Sequence, residues 1–173
     1  AIDLVFVVRS AIETSRPLVE AAGHDLVVNV PAEPLTLVGD ALRLTQVFAN
    51  LMTNAAKYTN AGGRIWVTVT RKADRAVVSV RDNGIGIPAT HLGSVFDMFM
   101  QVDRSSRRAQ GGLGIGLTLV RSLVAMHGVT VEARSAGTGA GSEFVVDLPI
   151  RTVPAAPPHP VEPLPTFPPR RIL

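Results

Sequence analysis

The sequence predicts a mixed α/β fold in which a sheet with antiparallel pairs packs against helices. Two observations carry that expectation. Strand-like alternating runs are interleaved with helical patterns along the whole chain. Two of the runs, RIWVTVTR and RAVVSVRD, are joined by the short polar link KAD, which is a β-hairpin signal. A hairpin excludes a purely parallel, doubly wound sheet. The chain has 173 residues, 46% of them apolar, enough to bury one core.

The elements follow in order. FVVRSAIETSRPLVEAAG reads as a helix with Pro17 as an irregularity and Gly23 as its end. HDLVVNV alternates as a strand and PAEP breaks it. LTLVG is a second short strand. Asp40 stands at an N-cap, and a helical pattern runs from it to about Thr59. Asn60 to Gly63 form a turn before the hairpin. DNGIGIP is a loop, and residues 89–102 have room for a short helix. DRSSRRAQGG is polar, basic and glycine-ended, as expected of a mobile loop. LTLVRSLVAMHG is a helix closed by Gly128. VTVEARS and SEFVVDLPI pair as the last strands around the turn GTGAG.

Nine of the thirteen prolines lie between Pro149 and Pro169, so residues 151–173 read as an extended linker or tail after a domain at 1–150. An inert spacer and a docking peptide of the polyproline type both fit that composition. The start at Ala1 rather than Met is expected of a piece of a longer chain. Without cysteine, disulfide scaffolds, thiol catalysis and Cys-based zinc sites are excluded. No apolar run approaches the roughly 18 residues needed to span a bilayer, and no signal peptide is visible. A cytoplasmic location is compatible with all of this. The net charge of +3 comes from a small excess of Arg, which points weakly to an anionic ligand and not to nucleic acid.

Three motifs carry chemistry. The first lies on the long helix. At about 100° per residue, Leu44, Val47, Phe48, Leu51, Met52 and Ala55 fall on one arc. Gln46, Asn50, Asn54 and Lys57 fall in a separate stripe about 80° wide. A solvated face is one reading. A ligand site is the other, because solvated faces are usually rich in Glu, Lys and Arg. An amide oxygen is a neutral metal ligand, and a lysine one turn on can meet a phosphate.

The second motif is RDNGIGIP, where a strand ends in Asp82 followed by Gly84 and Gly86. The glycines permit a tight turn and close approach, and Asp82 is placed to accept from a donor beside the strand end. A decorated β-turn is the plain alternative. The third is GGLGIGL, residues 111–117, running straight into a helix. Glycines at a helix start expose N–H groups to an anion. A polar, Arg-rich loop precedes them where a dinucleotide fold needs a strand, and no GK[ST] follows, so the Rossmann and P-loop readings both fail. Together the motifs describe a nucleotide pocket of neither type.

These residues resemble the ATP-binding catalytic domain of sensor histidine kinases, in the superfamily shared with DNA gyrase, the mismatch-repair MutL proteins and a heat-shock chaperone. Asn50 to Thr59 is similar to the N box, Asp82 to Pro88 to the G1 box, Phe96-Asp97-Met98-Phe99 to the F box, and Gly112 to Leu117 to the G2 box. The order and spacing match over about residues 3–150, most closely to kinases of the hybrid kind. The resemblance implies a two-layer α/β sandwich, a mixed sheet with helices on one face and a flexible ATP lid.

It also implies a set of roles. Asn54 would coordinate Mg²⁺ on the phosphates of ATP. Asn50 and Lys57 would hold those phosphates and serve the transfer, with Tyr58 beside the nucleotide. Asp82 would accept from the adenine amine, and Gly84 and Gly86 would shape the lid's start. Gly112, Leu113, Gly114, Ile115, Gly116 and Leu117 would close over the triphosphate. Phe96 and Phe99 read equally as lid anchors and as core aromatics. Arg104, Arg107 and Arg108 read as phosphate contacts or as an exposed basic loop.

The F box departs from the family in having Met98 where Pro is frequent. The phosphorylated histidine of such kinases lies in a His-Glu-x-x-Arg-x-Pro setting, which His24, His91, His127 and His159 all lack. The implied protein is therefore an isolated, monomeric catalytic domain. It would donate a phosphoryl group to a separate phosphoacceptor and dimerisation domain, with a response regulator or receiver acting downstream. A non-catalytic nucleotide-sensing module is the alternative. A gyrase-like machine and an anti-sigma-type serine/threonine kinase share the fold and fit less well.

Overall fold

The computed structural model describes residues 1–97 and 116–151. A two-residue strand, β1 (Ile2–Asp3), opens the chain and leads into α1 (Leu4–Ala21). Asp3 caps α1 by accepting from the Val5 N–H at 3.0 Å, and the same oxygen accepts from the Leu35 N–H at 3.1 Å. One carboxylate thus serves a helix start and the chain beside β3 (Thr36–Leu37), which pairs antiparallel with β1. Pro17 does not break α1. It lies on the exposed side, where water can serve the carbonyl that its missing N–H frees.

The main sheet has five strands in the order β2-β4-β5-β7-β6. They are β2 (Asp25–Asn29), β4 (Arg64–Lys72), β5 (Arg75–Asp82), β6 (Val131–Arg134) and β7 (Ser142–Pro149). β2 runs parallel to β4, and the other neighbours are antiparallel. The mixed sheet is the one the hairpin predicts. Ile65, Val67 and Val69 of β4, with Ala76, Val78 and Val80 of β5, point into the core. Trp66, Thr68, Val77 and Ser79 alternate with them on the other face. On that face Arg134 forks onto Glu132 at 2.9 and 2.8 Å, and this hydrogen bonding holds the Glu132 carboxyl below its usual range.

The core lies between the sheet and the helices α1, α2 (Ala41–Tyr58) and α4 (Gly116–Ala125), with the single turn α3 (Ala89–Leu92) in the connection before α4. Asp40 caps α2 by accepting from the Arg43 N–H at 3.1 Å. The apolar arc predicted for α2 is buried throughout. Gly128, at φ 70°, follows α4 as the closing residue. β6 and β7 form the expected last pair around residues 135–141. Ile150 is buried, and the Arg151 N–H reaches the Thr36 carbonyl at 2.7 Å. Among the described residues, no helix is long and apolar enough to cross a membrane.

Candidate nucleotide site

The amide stripe of α2 is half-buried. Asn50, Asn54, Lys57 and Tyr58 all stand between core and solvent, while Gln46 is exposed. Lys57 Nζ sits 5.1 Å from the centre of the Tyr58 ring. The stripe is therefore neither core nor a free outer face. It borders whatever packs beyond the end of the helix.

Beyond it lies the end of β5. Inward-facing alternation continues through Ala76, Val78 and Val80 to Asp82, only 3% exposed. Its charge is satisfied locally. Oδ1 accepts from the Gly84 N–H at 2.8 Å and the Ser142 N–H at 3.3 Å, and Oδ2 accepts from the Ser142 hydroxyl at 2.6 Å. Ser142 is the register partner of Asp82 across β5 and β7. An ionised carboxylate offers about four acceptor positions, so one position on Oδ2 remains for a further donor.

The glycines of the DNGIG loop have a different role from the one their spacing implies. They admit other backbone. A Cβ on Gly84 would stand 2.2 Å from the Tyr58 carbonyl oxygen, and the Ile85 N–H bonds that same oxygen at 3.0 Å. Gly86, at φ 71°, would place a Cβ 2.0 Å from the Gly137 oxygen. The loop is thus stitched to the last turn of α2 on one side and to the GTGAG turn on the other. The Gly139 and Gly141 N–H groups bond Ile85 and Gly84 at 2.6 and 3.1 Å. GTGAG, expected to be a plain turn, is one wall of the site.

Between these parts lies a cleft that opens to solvent. Asn54, Tyr58 and Gly86 line it, as does Leu117 of α4. Asp82 stands directly behind Ser142, which also lines it. Sequence reasoning missed the apolar part: Ile85, Ile87, Val95 and Phe144. His91 is a lining residue too. Phe96 is packed edge-on to Phe144 with ring centres 6.0 Å apart. The Thr118 hydroxyl donates to the Phe96 carbonyl at 3.0 Å, which ties the F-box segment to α4.

The start of α4 completes the group. A Cβ on Gly116 would lie 3.8 Å from Asn50 Oδ1, so the helix begins against the amide stripe. The structure brings Asn50, Asn54, Tyr58, Asp82, Gly84, Gly86, Gly116 and Leu117 into one neighbourhood, with Lys57 beside Tyr58. Phe99, Arg104, Arg107, Arg108, Gly112, Leu113, Gly114 and Ile115 lie outside the described residues, as do His159 and the tail from 152. His24 is structural, its Nε2 meeting the Ala56 carbonyl at 2.8 Å in the core.

The donor set fits a magnesium nucleotide. Among the described residues, no group of three His, Cys, Asp or Glu could hold a metal ion. Mg²⁺ typically keeps several waters and arrives on substrate phosphates, needing only one or two protein oxygens. Asn54 can supply one, and the last acceptor position of Asp82 suits an exocyclic amine.

A five-stranded mixed sheet under helices, with a cleft between an amide-bearing helix and two glycine loops, is the architecture of a particular class of ATPase domain. Residues 39–152 match the family of histidine kinase-, DNA gyrase B-, and HSP90-like ATPases, and the chain belongs to it. The circadian input-output histidine kinase CikA of Synechococcus elongatus is 42% identical over 128 residues, which cover 74% of this chain and 16% of CikA. The chain therefore spans only a small part of that relative. The mycobacterial sensor histidine kinase MprB superposes with a TM-score of 0.75 at 27% identity, covering 88% of this chain and 99% of that one. Full-length ShkA in complex with AMPPNP gives 0.75 at 28% identity, covering 89% and 31%. The chain is thus an ATPase domain of the sensor-histidine-kinase kind.

The backbone contact at Gly84 makes a direct prediction. Gly84→Ala should force the loop away from Tyr58 and destabilise the fold by about 1–3 kcal/mol in urea unfolding. An unchanged midpoint would show that the loop and α2 are not in contact.

Proposed function

We propose that this chain binds Mg-ATP in the cleft and donates the γ-phosphoryl group to a histidine on a separate phosphoacceptor and dimerisation domain. A response regulator or receiver would act downstream. Residues 1–150 form the catalytic domain and 151–173 a Pro-rich linker. One observation carries the reading: a buried carboxylate, pinned by three donors, stands directly behind Ser142, which lines an apolar cleft together with Asn54, Tyr58 and Gly86.

The roles follow from position. Asp82 accepts from the adenine amine. Tyr58 and the apolar lining flank the base. Asn54 gives its amide oxygen to Mg²⁺, and Asn50 and Lys57 hold phosphates next to the start of α4, with Gly116 and Leu117 at the closing edge. Bound Mg²⁺ would neutralise charge on the phosphates. Phosphoryl transfer asks the protein mainly for positioning and charge neutralisation. An imidazole acceptor brings its own lone pair, so no protein base is required. An amide at Asn50 cannot take a proton from water, and hydrolysis should be poor.

Three measurements test the reading. Asp82→Asn should cost about 1.5–3 kcal/mol of ATP affinity by calorimetry, and unchanged affinity would remove Asp82 from the base site. ATP hydrolysis by the chain alone should run below about 1 s⁻¹, low on the usual enzyme range; faster turnover would contradict the absence of a base. Supplied with a cognate phosphoacceptor domain, the chain should yield acid-labile phosphohistidine. ATP binding without that product would identify a nucleotide-sensing module instead.

A further inference from the structure

The far end of α4 makes a second contact with α2, remote from the cleft. His127 follows the last turn of α4. Its Nε2 accepts from the Asp40 backbone N–H at 3.0 Å, and its Nδ1 lies 2.8 Å from the Leu123 carbonyl oxygen. A backbone N–H can only donate, so Nε2 carries the lone pair and Nδ1 the proton. The ring is thus fixed as one neutral tautomer between two helices.

The surroundings are shaped to it. A Cβ on Gly39 would stand 3.0 Å from the ring carbon Cδ2 and 3.3 Å from Nε2. A side chain there would crowd the ring, which would have to give by a few tenths of an ångström. Arg43 closes the other side, with Nη1 3.0 Å from the Met126 sulfur and Nε 3.3 Å from the Asp40 carboxylate.

Between its two ends, α4 rests on the core through Val120, Leu123 and Val124. Apolar packing is non-directional. It presses one helix against another but fixes position along the axis loosely. The hydrogen bond to His127 is directional and fixes that position relative to α2, while Thr118 and Arg121 tie α4 to the Phe96–Asp97 segment. A helix of ten residues is about 15 Å long and transmits it as a rod. At the opposite end, Gly116 meets Asn50.

We propose that His127 is a positioning residue. By fixing the register of α4 along α2, it holds the Gly116 end against Asn50, where the phosphates bind. This role rests on the nucleotide reading above.

The test compares the 173-residue chain with His127→Asn and His127→Gln, using calorimetry with Mg-ATP and, separately, adenosine. An Asn amide can keep the bond to Leu123 but falls short of Asp40. A Gln amide oxygen reaches about as far as Nε2. His127→Asn should weaken Mg-ATP about three- to tenfold while leaving adenosine affinity unchanged, and His127→Gln should recover most of the loss. Equal losses for both ligands, no loss at all, or a Gln variant no better than Asn would overturn the proposal. A wild-type chain that binds neither ligand would sink the nucleotide reading itself, a result told apart because it needs no variant.

Discussion

The site depends on keeping one carboxylate charged in the core. Asp82 is almost without solvent, and a bare ion there would cost several kcal/mol. Three donors prevent that, two from Ser142 and one from the Gly84 backbone. Ser142 is in place because β5 and β7 pair in one register, Asp82 opposite Ser142. A shift of one residue would turn Ser142 to the other face and leave the charge unmet. The sheet register and the chemistry of the cleft are therefore a single constraint.

The glycine loops obey the same logic. DNGIG is pressed between the end of α2 and the GTGAG turn, and the contacts are backbone to backbone. Such contacts leave no room for Cβ atoms, and they place Asp82, Tyr58 and the cleft wall in a fixed relation. The opposite side of the cleft is built differently, where the start of α4 approaches Asn50 in the middle of α2.

Much of this was legible in the sequence, where periodicity is local. The apolar arc of α2, the cap at Asp40, the β4–β5 hairpin and the amide stripe all follow from spacing within a few turns or one strand pair. The two-residue β1 is too short to show a period, while β3 lies within LTLVG, which reads as a short strand. Ser142 and the GTGAG wall escaped notice because they reach Asp82 only through β5–β7 pairing, about 60 residues apart in the chain. Phe144, Val95 and His91 line the cleft from separate elements, and no spacing links them to Asn54. The glycines were recognised, but their partner is neighbouring backbone where open space for a ligand was expected.

The most direct measurement is a ¹H–¹⁵N NMR titration of the chain with Mg-AMPPNP. The account predicts that the Asn54 side-chain amide, the Gly84 and Gly86 amides and the Gly116 amide shift together, with one dissociation constant. Saturable shifts centred instead on Val38 to Arg43, with those four signals unmoved, would contradict it.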